Sequence, residues 1–298
     1  MNIYLSKSGG QIPGDLIQET VLRSDLAPVP RTLELTVQLK DDMHQRLAMG
    51  ASLWGGYEHL EYTIVMRERG QPTGVIQGDT PMQAMKVTAF LTSCQSIGRP
   101  RQPGRAVTAY NQSLGSIYRA CGSSLVIAND FNVGRFVCLA GDTPSHAVAV
   151  ALQEEGAALV LRNGRISIKR LHNLMAQTPT DSLGQFDSSA AHESDLLEQA
   201  NIPMCISLDD YGQVVQGDFG TARSARFIPG MDARTLHNLS HVPITRRIID
   251  NQLAMKIRAG DVVSVAGKTQ LVITAAHRSL SNNGIMDTSS RFWVGEIS

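Results

Sequence analysis

The segment RFVCLAGDTPSHAVAVALQEEGAALVLRNGRISIKRLHNL, Arg135 to Leu174, predicts a strand, a helix and a tight hairpin in that order. Thr143 is a residue type that caps helices, and Pro144 follows at the first helical position, where its missing N–H costs nothing. The run from Ala147 to Leu152 is apolar on every side, which predicts a buried helix. Gly156 stands where helices end with a left-handed residue. This segment is therefore expected to form a compact α/β unit.

The hairpin of this unit is predicted by its turn. Asn163-Gly164 is the strongest short-range signal for a two-residue turn, and it separates two strand-like runs, Ala157 to Leu161 and Arg165 to Lys169. No catalytic motif occurs in the unit. Glu154 and Glu155 lie at the helix end where the dipole disfavours negative charge, so we expect a solvated helix end, with contact to a cationic partner as the alternative.

The charge balance argues against two classes of partner. The 298 residues carry 27 Lys and Arg against 27 Asp and Glu, a formal net charge of +0, which removes the usual electrostatic case for binding nucleic acid or an anionic membrane. Charged residues make up only 18% of the chain. A charge-poor, neutral surface is poorly protected against self-association, so we expect partners to cover much of it.

The cysteines and the hydropathy indicate a protein folded in a reducing cytoplasm. Cys94, Cys121, Cys138 and Cys205 are far apart and form no CxxC pair, which favours buried thiols over zinc ligands or disulfides. The N-terminus lacks the features of a secretory signal, and no run of about 18 apolar residues predicts a membrane helix.

Strand patterns at both ends and a mixed segment between them give a predominantly β, α+β fold class. Residues 1–110 are expected to form a first β-rich domain, with Thr32 to Leu39 alternating as a half-buried strand. Residues 111–177 are the mixed α/β segment, and 178–298 a linker and second β-rich domain. The linker is the small, polar run from Thr178 to Glu193.

A phosphate-loop signal near the C-terminus is interpreted as a turn. Gly260 to Thr269, GDVVSVAGKT, ends in Gly-Lys-Thr, but Val262 stands where a phosphate-binding loop needs glycine. The β-branched residues before the turn form strands rather than loops. We therefore predict two strands joined by a turn at Gly267-Lys268.

Two further clusters are assigned to loops. His237 and His241 have helical spacing, but Asn238 replaces the glutamate of a zinc protease and Pro243 argues against a long helix, so turn or loop histidines are predicted. The loop with Arg99, Arg101 and Arg105 has no interleaved aromatic residues for stacking bases. It is expected to be exposed, with docking to an acidic partner as the alternative. No catalytic residue, cofactor site or metal site is assigned.

A family resemblance extends these inferences. The strand Phe136 to Leu139, the run Gly141 to Ser145, the helix with Glu154 to Gly156, and the hairpin ending at Arg170-Leu171 resemble the tail hub proteins at the distal end of tailed phages. A second set of similar motifs covers the C-terminal third: Phe227 to Gly230, Thr245 to Arg247, Arg258 to Val263 and Val272 to His277. Together the two parts cover less than half of the chain.

The resemblance implies a scaffold rather than an enzyme. Such hubs have two related β-barrel domains with an α/β insertion, which implies β-barrel-like domains at residues 1–110 and 178–298 of this chain. They form homotrimers whose six barrels make a quasi-sixfold ring matching a hexameric tail tube. The implied partners are the tail tube protein, the central spike protein, baseplate wedge or sheath-initiating proteins and the tape measure protein. The implied place is the tail baseplate of a virion, assembled in the host cytoplasm, without membrane or sequence-specific nucleic-acid binding.

Three alternatives stay open at this point. A tube-end or baseplate adaptor protein would share the β-rich domains but assemble as a hexamer. A tail-associated cell-wall hydrolase would need paired carboxylates or a metal site, which the sequence does not offer. A cytoplasmic β-rich binding protein would be a monomer with an apolar pocket.

Overall fold

The fold follows from a computed structural model, which describes residues 1–40, 42–77, 80–101, 106–183, 191–192, 203–218, 224–282 and 285–298. Strands dominate both ends of the chain, and most helical residues lie in the middle. The predominantly β, α+β fold class predicted from the sequence is confirmed.

The elements fall into three groups along the chain. The first group is β1 (Ile3–Ser6), β2 (Gly9–Gln11), β3 (Ile17–Asp25), β4 (Arg31–Gln38), α1 (Met43–Arg46), β5 (Ser52–Gly55), β6 (Leu60–Gln77), β7 (Thr80–Leu91) and a 3-10 turn (Thr92–Cys94). The second is β8 (Val107–Ser113), α2 (Leu114–Ala120), β9 (Ile127–Ala128), β10 (Asn132–Cys138), α3 (Pro144–Glu154), β11 (Ala157–Arg162), β12 (Arg165–Arg170) and α4 (Leu171–Met175). The third is β13 (Asp181–Leu183), β14 (Ala191–His192), β15 (Pro203–Leu208), β16 (Val214–Gln216), β17 (Ser224–Phe227), α5 (Ala233–Ser240), β18 (Pro243–Gln252), β19 (Val262–Val265), β20 (Lys268–Asn282) and β21 (Ile285–Ile297).

One hydrogen-bonded sheet runs through both β-rich ends. Its strand order is β14-β18-β21-β20-β3-β4-β7-β6-β5-β1-β2, with β19 and then β13 attached beside β20. The two ends meet where β20 pairs antiparallel with β3, in the register His277 opposite Leu22. Each end has a core of its own, one built around β3 to β7 and the other around β18 to β21.

The strand predicted at Thr32 to Leu39 is observed as β4, between β3 and β7. Leu33, Leu35 and Val37 are fully buried on one face, while the residues between them are half-buried. Burying each of these side chains contributes about 1.5–3 kcal/mol relative to leaving it exposed. The period-two pattern therefore fixed which face of this strand meets the core.

The hairpin predicted at Asn163-Gly164 is also observed. Arg162 pairs with Arg165, and the two turn residues have φ of 51° and 70°, as a two-residue hairpin turn requires. The helix before it ends at Glu154, and Gly156 takes the left-handed conformation expected of it, with φ of 56°. A third strand, β9, adds parallel to β12.

Two predictions about α3 hold only in part. Thr143 stands at the N-cap with Pro144 in the first turn, as predicted, but the Thr143 side chain accepts no capping hydrogen bond. The helix is also not buried all round, since Val148, Ala151 and Leu152 face the core while Val150 is 52% exposed. Apolar character on every side was interpreted as burial, yet the described parts of the chain leave the face with Val150 exposed.

The linker prediction is corrected in part. Asp181 to Leu183 forms β13, parallel to β19, and Ala191-His192 forms β14, antiparallel to β18. Residues 184–190 and 193 of the predicted linker lie outside the described residues. The short strands escaped notice because two or three residues are too few to show a periodic pattern. The domain boundaries at residues 110 and 177 stay predictions.

Candidate functional site

A surface groove lies between α3 and the strand β10, in the middle segment. Two adjoining hollows of about 240 and 330 Å³ make up this groove. Val137 on one side and Ala147 and Val150 on the other line both hollows. Val137 and Val150 are 37% and 52% exposed, and Leu139, which follows β10, is 55% exposed. Apolar side chains left in contact with water in this way are typical of surfaces that bind another protein.

The strand that borders the groove has a free edge. β10 pairs with β8 alone, in a two-stranded antiparallel sheet, within the part of the chain that the structure describes. The N–H and C=O groups on the other side of such a strand are available to a further strand. The α3–β10 groove therefore combines apolar side chains with unpaired backbone groups, the two features that strand addition uses.

The end of α3 is fixed by an ion-pair cluster within the chain. Glu155 accepts hydrogen bonds from Arg234, with both Nη–Oε distances 2.9 Å, and forms an ion pair with Arg170 at 2.7 Å. Burial raises the pKa of Glu155, but the hydrogen bonds and charges of the two arginines outweigh it and hold the pKa below its usual value. The expected solvated helix end is wrong for Glu155, which is only 13% exposed.

Glu154, at the mouth of the groove, behaves differently from its neighbour. Burial raises the pKa of Glu154, and the charge of Glu155 raises it further. Its backbone carbonyl accepts a hydrogen bond from Asn238 Nδ2 at 2.8 Å, which attaches α5 to the end of α3. The two adjacent glutamates thus have distinct environments, one neutralised by arginines and one at the groove.

A buried carboxylate joins the three parts of the chain. Glu58, 6% exposed, accepts hydrogen bonds from Arg31 at 2.8 Å and from Arg258 at 2.5 Å, and the two guanidinium side chains are 3% and 14% exposed. It also accepts from the backbone N–H of Asn163 in the hairpin turn, at 2.5 Å. A single carboxylate therefore connects the N-terminal sheet, the hairpin and the C-terminal part of the chain. No local sequence pattern signalled it.

His277 lies next to this charge cluster and is neutral at physiological pH. Burial, together with the charges of Arg31 and Arg258, lowers its pKa to about 4. Its Nε2 donates to the carbonyl of Ile257 at 3.1 Å, so Nδ1 is the acceptor and takes the hydroxyl hydrogen of Ser290 at 2.8 Å. A charged ring would be poorly solvated in this buried position and would be repelled by the two arginines.

The histidine pair is placed differently from the sequence prediction. His237 is on α5 and His241 is its C-cap, so both rings lie on one side of the helix end, with centroids 4.3 Å apart. Asp218 approaches them from the end of β16, with Oδ2 2.8 Å from His237 Nδ1 and 3.7 Å from His241 Nε2. One ligand atom of each residue lies within 4.8 Å of the others. Asp218 was missed because it precedes His237 by 19 positions in the sequence.

The arginine loop is less exposed than predicted. Arg99 donates to the carbonyl of Ile64 at 3.1 Å and Arg101 to that of Ala120 at 3.5 Å, and both side chains are partly buried. These two arginines connect their loop to β6 and to the end of α2, because charged donors form strong hydrogen bonds with backbone carbonyls. Arg105 lies outside the described residues.

The remaining motifs take their predicted structural roles. Gly260 to Thr269 contains β19, a turn and the start of β20, with the turn at Ala266-Gly267, one residue earlier than predicted. All four cysteines are free and buried, and burial raises the pKa of Cys94 to about 12, which makes an unreactive thiol. No helix among the described residues combines the length and apolar character needed to cross a bilayer.

Comparison with solved structures identifies proteins whose overall fold is similar to that of this chain. The tail protein of Neisseria meningitidis MC58 superimposes with a TM-score of 0.65, over 99% of this chain and 95% of its own, at 11% sequence identity. The tail protein of prophage MuSo2 from Shewanella oneidensis gives 0.65 over 99% and 98%, at 13% identity. This chain has the fold of phage tail proteins.

The tail-protein fold extends to a secretion system. The Escherichia coli c3393 protein is described as a type VI secretion component similar in structure to the bacteriophage T4 tail proteins gp27 and gp5. It matches with a TM-score of 0.55 over 95% of this chain and 74% of its own, at 10% identity. No protein-family model and no curated protein sequence matches the chain. At these identities the shared property is the fold.

Proposed function

We propose that this protein is a structural component of a phage-type tail and that it forms the hub of the baseplate. Three copies would form a closed ring. Each copy would contribute its two β-rich ends, so the ring would present six similar walls to a hexameric tail tube. The ring would join the tail tube protein above to the central spike protein below. Wedge or sheath-initiating proteins would surround the ring, and the tape measure protein would contact its lumen. The virion would be assembled in the host cytoplasm.

The observation that carries this proposal is the extent of the structural likeness. Nearly the whole chain, 99%, corresponds to nearly the whole of two tail proteins, so the likeness is not confined to a common β module. The names of the similar proteins place them in tails and in a secretion system related to tails. A shared fold by itself does not fix function, so the proposal also needs a surface suited to assembly.

The α3–β10 groove supplies that surface. A closed ring needs contacts that repeat from one copy to the next, and it hides strand edges that would otherwise aggregate. The free edge of β10 and the exposed Val137 and Val150 suit an edge strand from a neighbouring copy. An obligate interface of this kind buries about 2,000 Å² or more. The low charge content of the chain is compatible with a surface that is covered after assembly.

The mass of the purified complex tests the ring. Native mass spectrometry and analytical ultracentrifugation are expected to give about three times the 32.3 kDa chain mass. A mass of six chains favours a tube-end or baseplate adaptor protein instead. A protein that stays a monomer at high concentration contradicts both assemblies and favours a binding protein.

A separate assay tests the enzymatic alternative. We propose that the protein is not a cell-wall hydrolase, since the well-buried carboxylates of Glu58, Asp261 and Glu155 each form ion pairs with arginine side chains. Zymography on peptidoglycan is expected to show no lysis. A clear zone that depends on this chain contradicts a purely structural role.

A further inference from the structure

The cluster of Asp218, His237 and His241, here called the His2Asp cluster, has the composition of a transition-metal site. Two imidazoles and one carboxylate are ligands that zinc accepts in proteins, at distances of about 2.0–2.2 Å. Ligand atoms around a four-coordinate ion at that distance lie about 3.3 Å from one another. The ligand atoms in this structure lie within 4.8 Å, so movements of about 1 Å or more would close them on an ion.

A backbone hydrogen bond of His241 leaves its other ring nitrogen able to bind a cation. Its Nδ1 lies 2.8 Å from the backbone carbonyl of His237, and because a carbonyl only accepts, Nδ1 must carry the proton. In the neutral ring Nε2 then has its lone pair free. That nitrogen lies 3.7 Å from a carboxylate oxygen of Asp218, so two acceptors face each other. Metal-binding histidines characteristically have this arrangement, in which the far ring nitrogen donates to a carbonyl.

The backbone around Asp218 holds it against the helix. The N–H of Gly217 donates to the carbonyl of Cys205 at 2.8 Å, which fixes the end of β16. A Cβ at position 217 would lie 2.6 Å from the carbonyl oxygen of Leu236 and 2.7 Å from Ser240 Oγ. Only glycine permits this approach of β16 to α5, and the approach brings the next residue, Asp218, to the two histidines.

The helix itself is firmly positioned. Leu236 and Leu239 are buried against Cys205 in a small core beneath α5. Asp232 caps the helix by accepting from Thr235 N at 2.7 Å. The two histidines therefore project from a fixed element, as a metal site requires for affinity.

From these contacts we infer that the His2Asp cluster binds a divalent first-row transition metal of the zinc type. His237 Nδ1, His241 Nε2 and a carboxylate oxygen of Asp218 are the ligands. His237 Nδ1 now lies 2.8 Å from Asp218 as a donor, so the neutral ring must change to the tautomer with its proton on Nε2 before Nδ1 can bind the metal. The bound metal joins the end of β16 to α5. A fourth coordination position stays open toward solvent, because Asp218 and His237 are more than half exposed.

Zinc titration of the tag-free, full-length chain tests this inference. Isothermal titration calorimetry with zinc chloride is expected to give one ion per chain. The double variant His237→Gln/His241→Gln should weaken binding by more than about tenfold, and Asp218→Asn should also weaken it, because each change removes a ligand. His172→Gln, an exposed histidine on α4, should bind like the wild type.

Two further measurements separate a metal site from a folding defect. With EDTA present, the variants should have the melting temperature and circular dichroism of the wild type, since Asp218 and His237 are more than half exposed and His241 is one-third exposed. Cobalt should produce visible d–d absorption bands in the wild type that are absent in the double variant. The inference is overturned if the wild type and the double variant bind zinc equally, or if neither binds it. It is independent of the proposed hub role, because both readouts use the purified chain alone.

Discussion

Replacing Glu58 by glutamine should destabilise the whole chain, because this carboxylate neutralises two buried guanidinium groups. Glutamine has nearly the same shape, so no cavity forms and the change is one of charge. Arg31 and Arg258 would remain buried, with their compensating charge removed. The amide oxygen can still accept a hydrogen bond, but not all three that the carboxylate accepts in this structure.

The size of the effect follows from the burial of the partners. Removing one member of a buried ion pair costs about 3–5 kcal/mol, because an uncompensated charge stays behind. The matched control is Glu34→Gln, which breaks the pair with Lys86 at 3.2 Å, where both side chains are more than one-third exposed. That change should cost about 1 kcal/mol or less.

Urea denaturation followed by tryptophan fluorescence measures the effect in both halves of the protein. Trp54 lies on β5 in the N-terminal part of the sheet, and Trp293 lies on β21 in the C-terminal part. Versions with a single tryptophan, Trp54→Phe or Trp293→Phe, separate their signals. Glu58→Gln should lower the free energy of unfolding reported by each tryptophan, since the carboxylate connects both parts.

A double-mutant cycle adds a second criterion. Arg31→Met in the Glu58→Gln background should cost less than it does alone, because it removes a charge that has lost its partner. The reasoning is refuted if Glu58→Gln is as mild as Glu34→Gln, or if the two changes add without coupling.

Three further outcomes are expected. Burial lowers the pKa of His277 to about 4, so between about pH 6.5 and 4 the unfolded chain binds a proton that the folded chain does not. The free energy of unfolding should therefore fall by up to about 3 kcal/mol as the pH drops through this range. His277→Asn should remove that part of the pH dependence. If urea titrations give the variant the same slope of unfolding free energy against pH as the wild type, the assignment is contradicted. Gly164→Val should lower the melting temperature, because φ is 70° at this position and the added Cβ would lie 3.3 Å from Leu60. Gly14→Val is the control, since a Cβ there meets nothing within 4 Å. Equal melting temperatures of the two variants would show that the turn tolerates β-branched residues. Val150→Asp should change the unfolding free energy of the isolated chain by no more than about 0.5 kcal/mol but reduce its assembly in ultracentrifugation. Val126→Asp, outside the α3–β10 groove, should have no effect on assembly. If both variants form the wild-type oligomer, the groove is not part of the subunit interface.

Local chemistry explains why several elements were predictable. The alternation of Thr32 to Leu39 and the turn at Asn163-Gly164 are decided by neighbouring residues, and both are observed where the sequence placed them. The same holds for the strand–turn–strand at Gly260 to Thr269, apart from a turn one residue earlier. Period-two burial and positive φ need no knowledge of distant parts of the chain.

The errors concern features that depend on distant contacts. Apolar residues all round α3 predicted burial, but the sequence does not state how many faces the rest of the chain covers, and Val150 stays exposed. Glu155 looked solvated because its arginine partner Arg234 lies 79 residues away. The loop arginines Arg99 and Arg101 looked exposed for the same reason, since their carbonyl partners belong to other elements.

The sequence by itself determined the fold class, the buried face of β4 and the hairpin of the middle segment, because side-chain period and turn conformation are properties of a few consecutive residues. Only the tertiary structure decided where charge and ligands converge. Glu58 meets residues 27, 105 and 200 positions away, and Asp218 meets its histidines across a helix end. Such encounters depend on how the sheets and helices pack, and residue spacing along the chain carries no record of that packing.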